Sequence, residues 1–388
     1  MSVTAGAGLS AGHDPLEAGR DAAGAAARSL GTAEPDLAVV FASGRHLAGP
    51  DALLAGVRSA LRPRALIGCG AGGVLAESRE LESGTAVAVW AADFGDAAAA
   101  TPFHASVEGD GEDAWLDGLP EIAAASGAIV LSDPYSFPAE VALAEFQERA
   151  PGMPVLGGLA SARAPGGGGA LFCGEQVCAS GAVGVTLHGV EMLPCVSQGA
   201  APFGREVTIT AAEGNVIHEL AGRPAIETVQ RIIAELTPRE RAIVAGGLLI
   251  GIVIDSGKPD YEQGDFLVRG VLGADPDTGS LVVGATVREG QIVRLQARDA
   301  ESADADLRRA LRLRTEAMHG RPPAGALLFS CNGRGRAMFG TPDHDATVVD
   351  RELHGAPAAG FFAAGEIGPV GGRSFLHGFT ATLAVFPQ

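Results

Sequence analysis

Lysine is almost absent: in 388 residues there is one, Lys258. A phosphate-binding P-loop needs G-x-x-x-x-G-K-[ST], and Lys258 follows Gly257 but precedes Pro259. Schiff-base catalysis would rest on this one residue among charged, turn-like neighbours, so neither chemistry is expected. Cysteine is scarce and odd in number: Cys69, Cys173, Cys178, Cys195 and Cys331. Cys173 and Cys178 have no second pair nearby, which argues against a structural zinc site or a disulfide framework. Positive charge is in deficit, with a formal net charge of -18. That excludes the basic footprint of a nucleic-acid binder and disfavours anionic membrane surfaces. The most apolar run, Ala242 to Ile254, is closed by Asp255 and falls short of the ~20 residues of a membrane helix. Met1 to Gly12 lacks the basic start and apolar core of a secretory signal. The expectation is a reduced, cytoplasmic protein with no metal and no cofactor.

What the chain does have is apolar content, 47%, enough for two or more cores. It also has internal repetition. Val39–Gly44 leads through a helical stretch to Leu66–Gly73 and then Ala86–Trp90. Ile129–Pro134 leads to Val155–Ala160 and Ala170–Phe172, and Leu327–Gly333 leads to Gly360–Ile367 and Phe379–Phe386. The pattern predicts an α/β protein of repeated β-α-β-β units in two domains, with mixed or antiparallel sheets and helices on their outer faces. Residues 1–34 read as a tail or a helix over Ala22–Leu30. Pro50 and Pro138 open helices, Thr237 and Glu240 form a capping box, and Asp299–Met318 is the longest helix, with Leu307, Leu311 and Leu313 on or near its buried stripe. A meander of strands runs from Phe266 to Ala297 through turns at Asp275–Gly279 and Glu289–Gly290. The domain boundary is placed near Gly204–Arg223.

Several segments carry candidate chemistry. Gly68-Cys69-Gly70-Ala71-Gly72-Gly73 matches the G-x-G-x-x-G dinucleotide pattern, but the fingerprint needs a helix directly after it and none is expected. Cys331 sits at a strand end beside Asn332, Gly333 and Arg334, where a guanidinium favours the thiolate. Cysteine also serves as a small apolar filler, and the bases available, His377 and His344, are more often structural. Glu366 closes an apolar strand, where a carboxylate needs a partner: Arg334, Arg269 or Arg298. It is either an inter-strand ion pair or an anchor for a ligand's amino group. Asp343-His344-Asp345 could bind a metal but reads as an acidic helix N-terminus.

These residues resemble the FIST family (F-box and intracellular signal transduction proteins). Phe329–Gly335, Gly360–Val370 and Phe375–Thr380, with Phe266–Gly270 and Arg298–Ala300, are similar to its C-terminal domain. Ile67–Cys69, Val155–Ala160, Ser197–Gly199 and Leu220–Ala225 are similar to its N-terminal domain. The resemblance implies domains over 35–219 and 220–388 and a sensory role for small ligands, amino acids among them. It supplies no catalytic residues. Family members often carry signalling output domains; this chain leaves no room for one, so a stand-alone sensor would act through a partner protein or oligomerisation.

The expected ligand site lies where the small-residue strand ends converge. Asn332, Arg334 and Glu366 are its polar contacts, and Cys69, Gly70, Gly158 and Cys331 line its wall. Arg334 would take the carboxylate of a zwitterion and Glu366 its ammonium. Two further readings stand beside this one: an enzyme using Cys331 as nucleophile, and a scaffold that binds only protein.

Overall fold

The computed structural model describes residues 3–96, 98–109 and 111–388. They form two compact units. One holds the described residues up to 196, with 307–376 and 381–388; the other holds 197–306 and 377–380. The third repeat packs with the first two.

In the first unit each repeat has the same plan. Strands Leu37–Ser43 and Ala65–Ala71 run parallel, and Ala86–Asp93 returns antiparallel beside the first of them. Gly127–Ser132, Val155–Leu159 and Ala182–His188 repeat this, as do Pro323–Cys331, Ala358–Ala363 and Thr380–Pro387. The closing strand of the second repeat is thus Ala182–His188. The apolar run Ala170–Phe172, expected in that role, belongs to a hairpin, and two short buried runs look alike in sequence.

These hairpins join the repeats. Each repeat places one between its second and third strands, and each hairpin adds to the sheet of a different repeat. Val74–Ala76 of the first pairs with Ala358–Ala363 of the third, Phe361 opposite Val74. Leu171–Cys173 of the second pairs with Ala65–Ala71 of the first. Glu366–Val370 of the third pairs with Val155–Leu159 of the second, Gly158 opposite Glu366. The exchange closes a cycle, so one side of each sheet is extended by a neighbour's hairpin.

Local chemistry explains the elements. Helix Pro15–Leu30 starts at an Asp14 cap, whose side chain accepts the Glu17 N–H, and stops at Gly31, which has φ 86°. Its buried stripe is alanine: Ala18, Ala22, Ala26. That small stripe lets the backbone lie on strand Thr4–Ser10, where Gly6 would place a Cβ 2.2 Å from the Ala26 carbonyl. Strand Leu37–Ser43 is buried throughout, which accounts for its unbroken apolar sequence. Phe41 stacks on Phe361 with centroids 4.9 Å apart, and Phe329 meets Phe361 edge-on at 5.9 Å. Leu131 and Leu156 of the second repeat belong to the same apolar core.

The second unit is an antiparallel sheet that closes on itself. Its strands run in the order Ala200–Glu213, Ile292–Arg298, Leu248–Val253, Phe266–Asp275, Ser280–Val283, Val216–Leu220, and the long first strand also pairs with the last. Ile209, Ile217, Ile250, Leu281, Val283 and Leu295 fill the interior. The meander is shorter than expected. Ile292–Arg298 pairs with Leu248–Val253 and Ala200–Glu213, not with Ser280–Val283. The capping box at Thr237 and Glu240 is present. The long helix, Ala300–Ala317, belongs from Leu307 onward to the first unit, where Leu307 and Leu311 are buried while Leu313 is exposed.

Candidate functional site

Strand ends of the first unit meet through hydrogen bonds, most of them between backbones. The Gly72 N–H donates to Ser161 Oγ at 2.9 Å, the Phe362 N–H to the Gly73 carbonyl at 3.1 Å, and the Leu159 N–H to the Gly365 carbonyl at 2.8 Å. Their small residues reflect close approach. A Cβ on Gly70 would lie 2.9 Å from the Ala162 carbonyl, and one on Gly158 would lie 3.0 Å from both the Ala363 Cβ and the Gly365 carbonyl. Strand Ala65–Ala71 is followed by the hairpin from Val74, so the dinucleotide pattern lacks its helix.

Cys331, Arg334 and Glu366 come together at the end of strand Pro323–Cys331. Arg334 is buried, within electrostatic reach of Cys331 and Glu366. Its main partner is Asp345, from the acidic trio at a helix start. Arg334 Nε and Nη2 donate to Asp345 at 2.6 and 2.9 Å, a bidentate pair with both side chains almost wholly buried. Burial opposes charge on Asp345, but the guanidinium outweighs it and holds the carboxyl well below the usual carboxylate range. Ser330 Oγ donates to Asp345 Oδ2 at 2.9 Å, and His344 Nδ1 is 2.9 Å from Oδ1. The Arg334 guanidinium lies 5.1 Å from the Phe339 ring, whose other contact is a parallel stack with His344 at 3.5 Å.

Asn332 is exposed and its N–H donates to the Ala363 carbonyl at 2.9 Å. Gly158 lies opposite Glu366. Cys69 and Gly70 stand on the first repeat's sheet, Cys69 opposite Phe41 and Leu171, and burial pushes the Cys69 thiol far up. The Gly333 N–H lies 3.5 Å from Cys331 Sγ. Asp345 takes two of the guanidinium nitrogens, and the buried Arg334 Nη1 has no hydrogen-bond partner among the described residues.

The exchanged hairpin of the first repeat supplies what the sequence reading missed. Glu80 Oε1 accepts the Ala346 N–H at 2.9 Å, in the first turn of helix His344–Glu352, and the Glu80 N–H donates to Asp343 at 2.6 Å. Glu82 accepts the Arg336 N–H at 2.8 Å. Glu80 is buried and faces Asp345, Glu82 and Asp343; burial first, then Asp345, raises its pKa to about 7. Nothing in the run Arg79-Glu80-Leu81 signals this. Asp345 did leave a trace, since it shares the i, i+3, i+4 spacing of the buried Val348 and Val349.

Beside this network is a cleft of about 280 Å3. Leu75, Ala76, Glu77 and Ser78 of the hairpin form one wall, and Ala346, Val349 and Asp350 of helix His344–Glu352 form another. Ser29, in the last turn of helix Pro15–Leu30, reaches it too. Two helix C-terminal turns and two carboxylates, Glu77 and Asp350, border it, and none of the described residues lining it is basic.

The pattern of the FIST N domain matches residues 36–223 and that of the FIST C domain matches 225–369. An uncharacterised protein of Mycobacterium tuberculosis is 44% identical over 382 residues, covering 98% of this chain and 99% of that protein. One of Mycobacterium bovis is 42% identical over 382 residues, covering 98% of each. No described helix is long and apolar enough to cross a membrane.

Proposed function

The chain belongs to the FIST family, and from that premise we propose that it senses a small metabolite carrying a protonated amine, an amino acid or a close relative, and relays this to a partner protein. FIST domains are associated with signal transduction and small-ligand sensing. The ligand seat in this reading is the cleft between the exchanged hairpin and helix His344–Glu352. Its position carries the proposal. Ala346 lines the cleft and its N–H rests on Glu80 of the exchanged hairpin. An ammonium drawn to Asp350 and Glu77 therefore bears on the seam between the first and third repeats. Its lining mixes apolar side chains (Leu75, Val349) with hydroxyls and carboxylates (Ser29, Ser78, Glu77, Asp350), which suits a small polar ligand. The guanidinium of Arg334, neutralised by Asp345, belongs to the support of that seam, together with Cys331, Glu366 and Gly158.

Thermal unfolding with a panel of amines and amino acids tests this. A true ligand stabilises by mass action, about 2.7 kcal/mol at a hundredfold excess over its Kd. The Glu77→Gln/Asp350→Asn variant should lose that response. No saturable shift from any amine, or an unchanged response in the variant, rejects the reading and leaves a protein-binding scaffold.

A further inference from the structure

We infer that the second unit carries a separate site for a small organic carboxylate, with Arg294 as its anchor. The inference is independent of the amine cleft in the first unit. Strand Ala200–Glu213 is irregular against Ile292–Arg298: Phe203 is opposite Leu295 and Val207 opposite Val293, so Gly204, Arg205 and Glu206 stand against Arg294 alone. Such bulges re-aim side chains and recur next to binding sites. Gly204 fixes this one. It has φ 62°, and a Cβ there would lie 2.3 Å from Ile232 Cγ2, on helix Ala225–Glu235. Only glycine lets the strand bulge against that helix.

The bulge builds one side of a cleft of about 560 Å3 on the outer face of the sheet, bordered by Arg205, Glu206, Thr208, Asp260, Tyr261 and Arg294. Glu206 Oε1 accepts from Arg294 Nη1 at 2.8 Å, which holds the guanidinium in place. Arg294 Nε is buried and donates to no acceptor among the described residues. A buried N–H left without an acceptor is costly, and a ligand oxygen would relieve it. Nε and Nη2 form the edge of the guanidinium that accepts a carboxylate in a two-point contact, and Glu206 sits at the remaining nitrogen. Arg205, exposed and 4.0 Å from Glu235, adds positive charge at the rim. Glu206 and Asp260 disfavour a dianion such as phosphate. Pro259 and Ile292 offer apolar surface for a short alkyl group.

Saturation-transfer NMR on the full chain, with propionate, alanine and inorganic phosphate as probes, decides it. Saturable signals from the propionate or alanine methyl group are expected, with phosphate failing to displace them. An alanine signal stronger than that of propionate, kept in Glu77→Gln/Asp350→Asn and lost in Arg294→Gln, would place its ammonium at Asp260. Arg294→Gln should weaken binding about tenfold or more. Arg294→Lys, which keeps the charge without the fork, should not restore it. Asp350→Asn, in the first unit's cleft, should leave it unchanged, so loss of the amine site and loss of this one are separable. No saturable signal from either carboxylate overturns the inference, as does wild-type binding in a folded Arg294→Gln protein or displacement by phosphate.

Discussion

Glu80 and Ala346 are 266 residues apart in sequence, and a carboxylate–amide hydrogen bond of 2.9 Å joins them. The first repeat thereby caps a helix of the third. The contact does more than complete a sheet edge, because an acidic group near a helix N-terminus is favourable while a buried charge beside Asp345 is not. The balance is the raised pKa of Glu80, about 7.

Glu80 makes stability fall with pH. Its folded pKa lies above its ordinary value of 4.5, so its contribution is complete below about pH 4.5 and is lost as pH rises through 7. At about 1.4 kcal/mol per unit, the upper bound is ~3 kcal/mol. Glu80→Gln keeps an acceptor for Ala346 and should therefore be more stable than wild type at pH 8 and close to it at pH 5. Urea unfolding at the two pH values reads this out, and a constant difference between the proteins would contradict it.

Asp345 acts in the opposite sense. Its folded pKa lies below its ordinary value, so its contribution is present above about pH 4 and is lost as pH falls further. Removing one partner of a buried pair strands the other charge, and Arg334→Met or Asp345→Asn should each cost about 3–5 kcal/mol. Combining Arg334→Met with Asp345→Leu removes both charges and should recover much of that loss. A double-mutant cycle in denaturant gives the coupling directly; additive losses would show that the two charges do not support each other.

Gly158→Ala tests why the strand tips are small. The new methyl would meet Ala363 and the Gly365 backbone at 3.0 Å, where the hairpin of the third repeat crosses the second. Overpacking there should destabilise by about 1–3 kcal/mol. An unchanged melting midpoint would mean that the crossing has room to spare.

Cysteine reactivity separates the sensor from the enzyme reading. Cys173 and Cys178 are partly exposed, while Cys69, Cys195 and Cys331 are buried. Iodoacetamide with mass mapping should label the first two in the folded protein and all five after unfolding. Burial raises the Cys173 and Cys178 thiols, so their labelling should quicken toward alkaline pH. Rapid labelling of Cys331 alone near neutral pH would instead mark it as a nucleophile.

Much of the fold was legible because it is written locally. The strands ending at Ser43 and Cys331, the proline-led helix from Pro50 and the capping box at Thr237 each depend on neighbours a few residues away. Of the candidate site, Cys331, Arg334 and Glu366 were legible as polar or reactive groups at apolar strand ends. Their partner Asp345 was hidden in an acidic trio, and Glu80 left no mark. The bulge facing Arg294 was equally silent, since one glycine in a strand does not say which helix lies behind it.

The sequence alone determined that this chain is an α/β protein of repeated units, because hydrophobic period and turn chemistry act over short distances. Only the tertiary structure decided that the third repeat joins the first two, that hairpins pass between sheets in a cycle, and that Arg334 is matched by Asp345. Those outcomes depend on which surfaces meet after folding, and pairings hundreds of residues apart have no period for a sequence to carry.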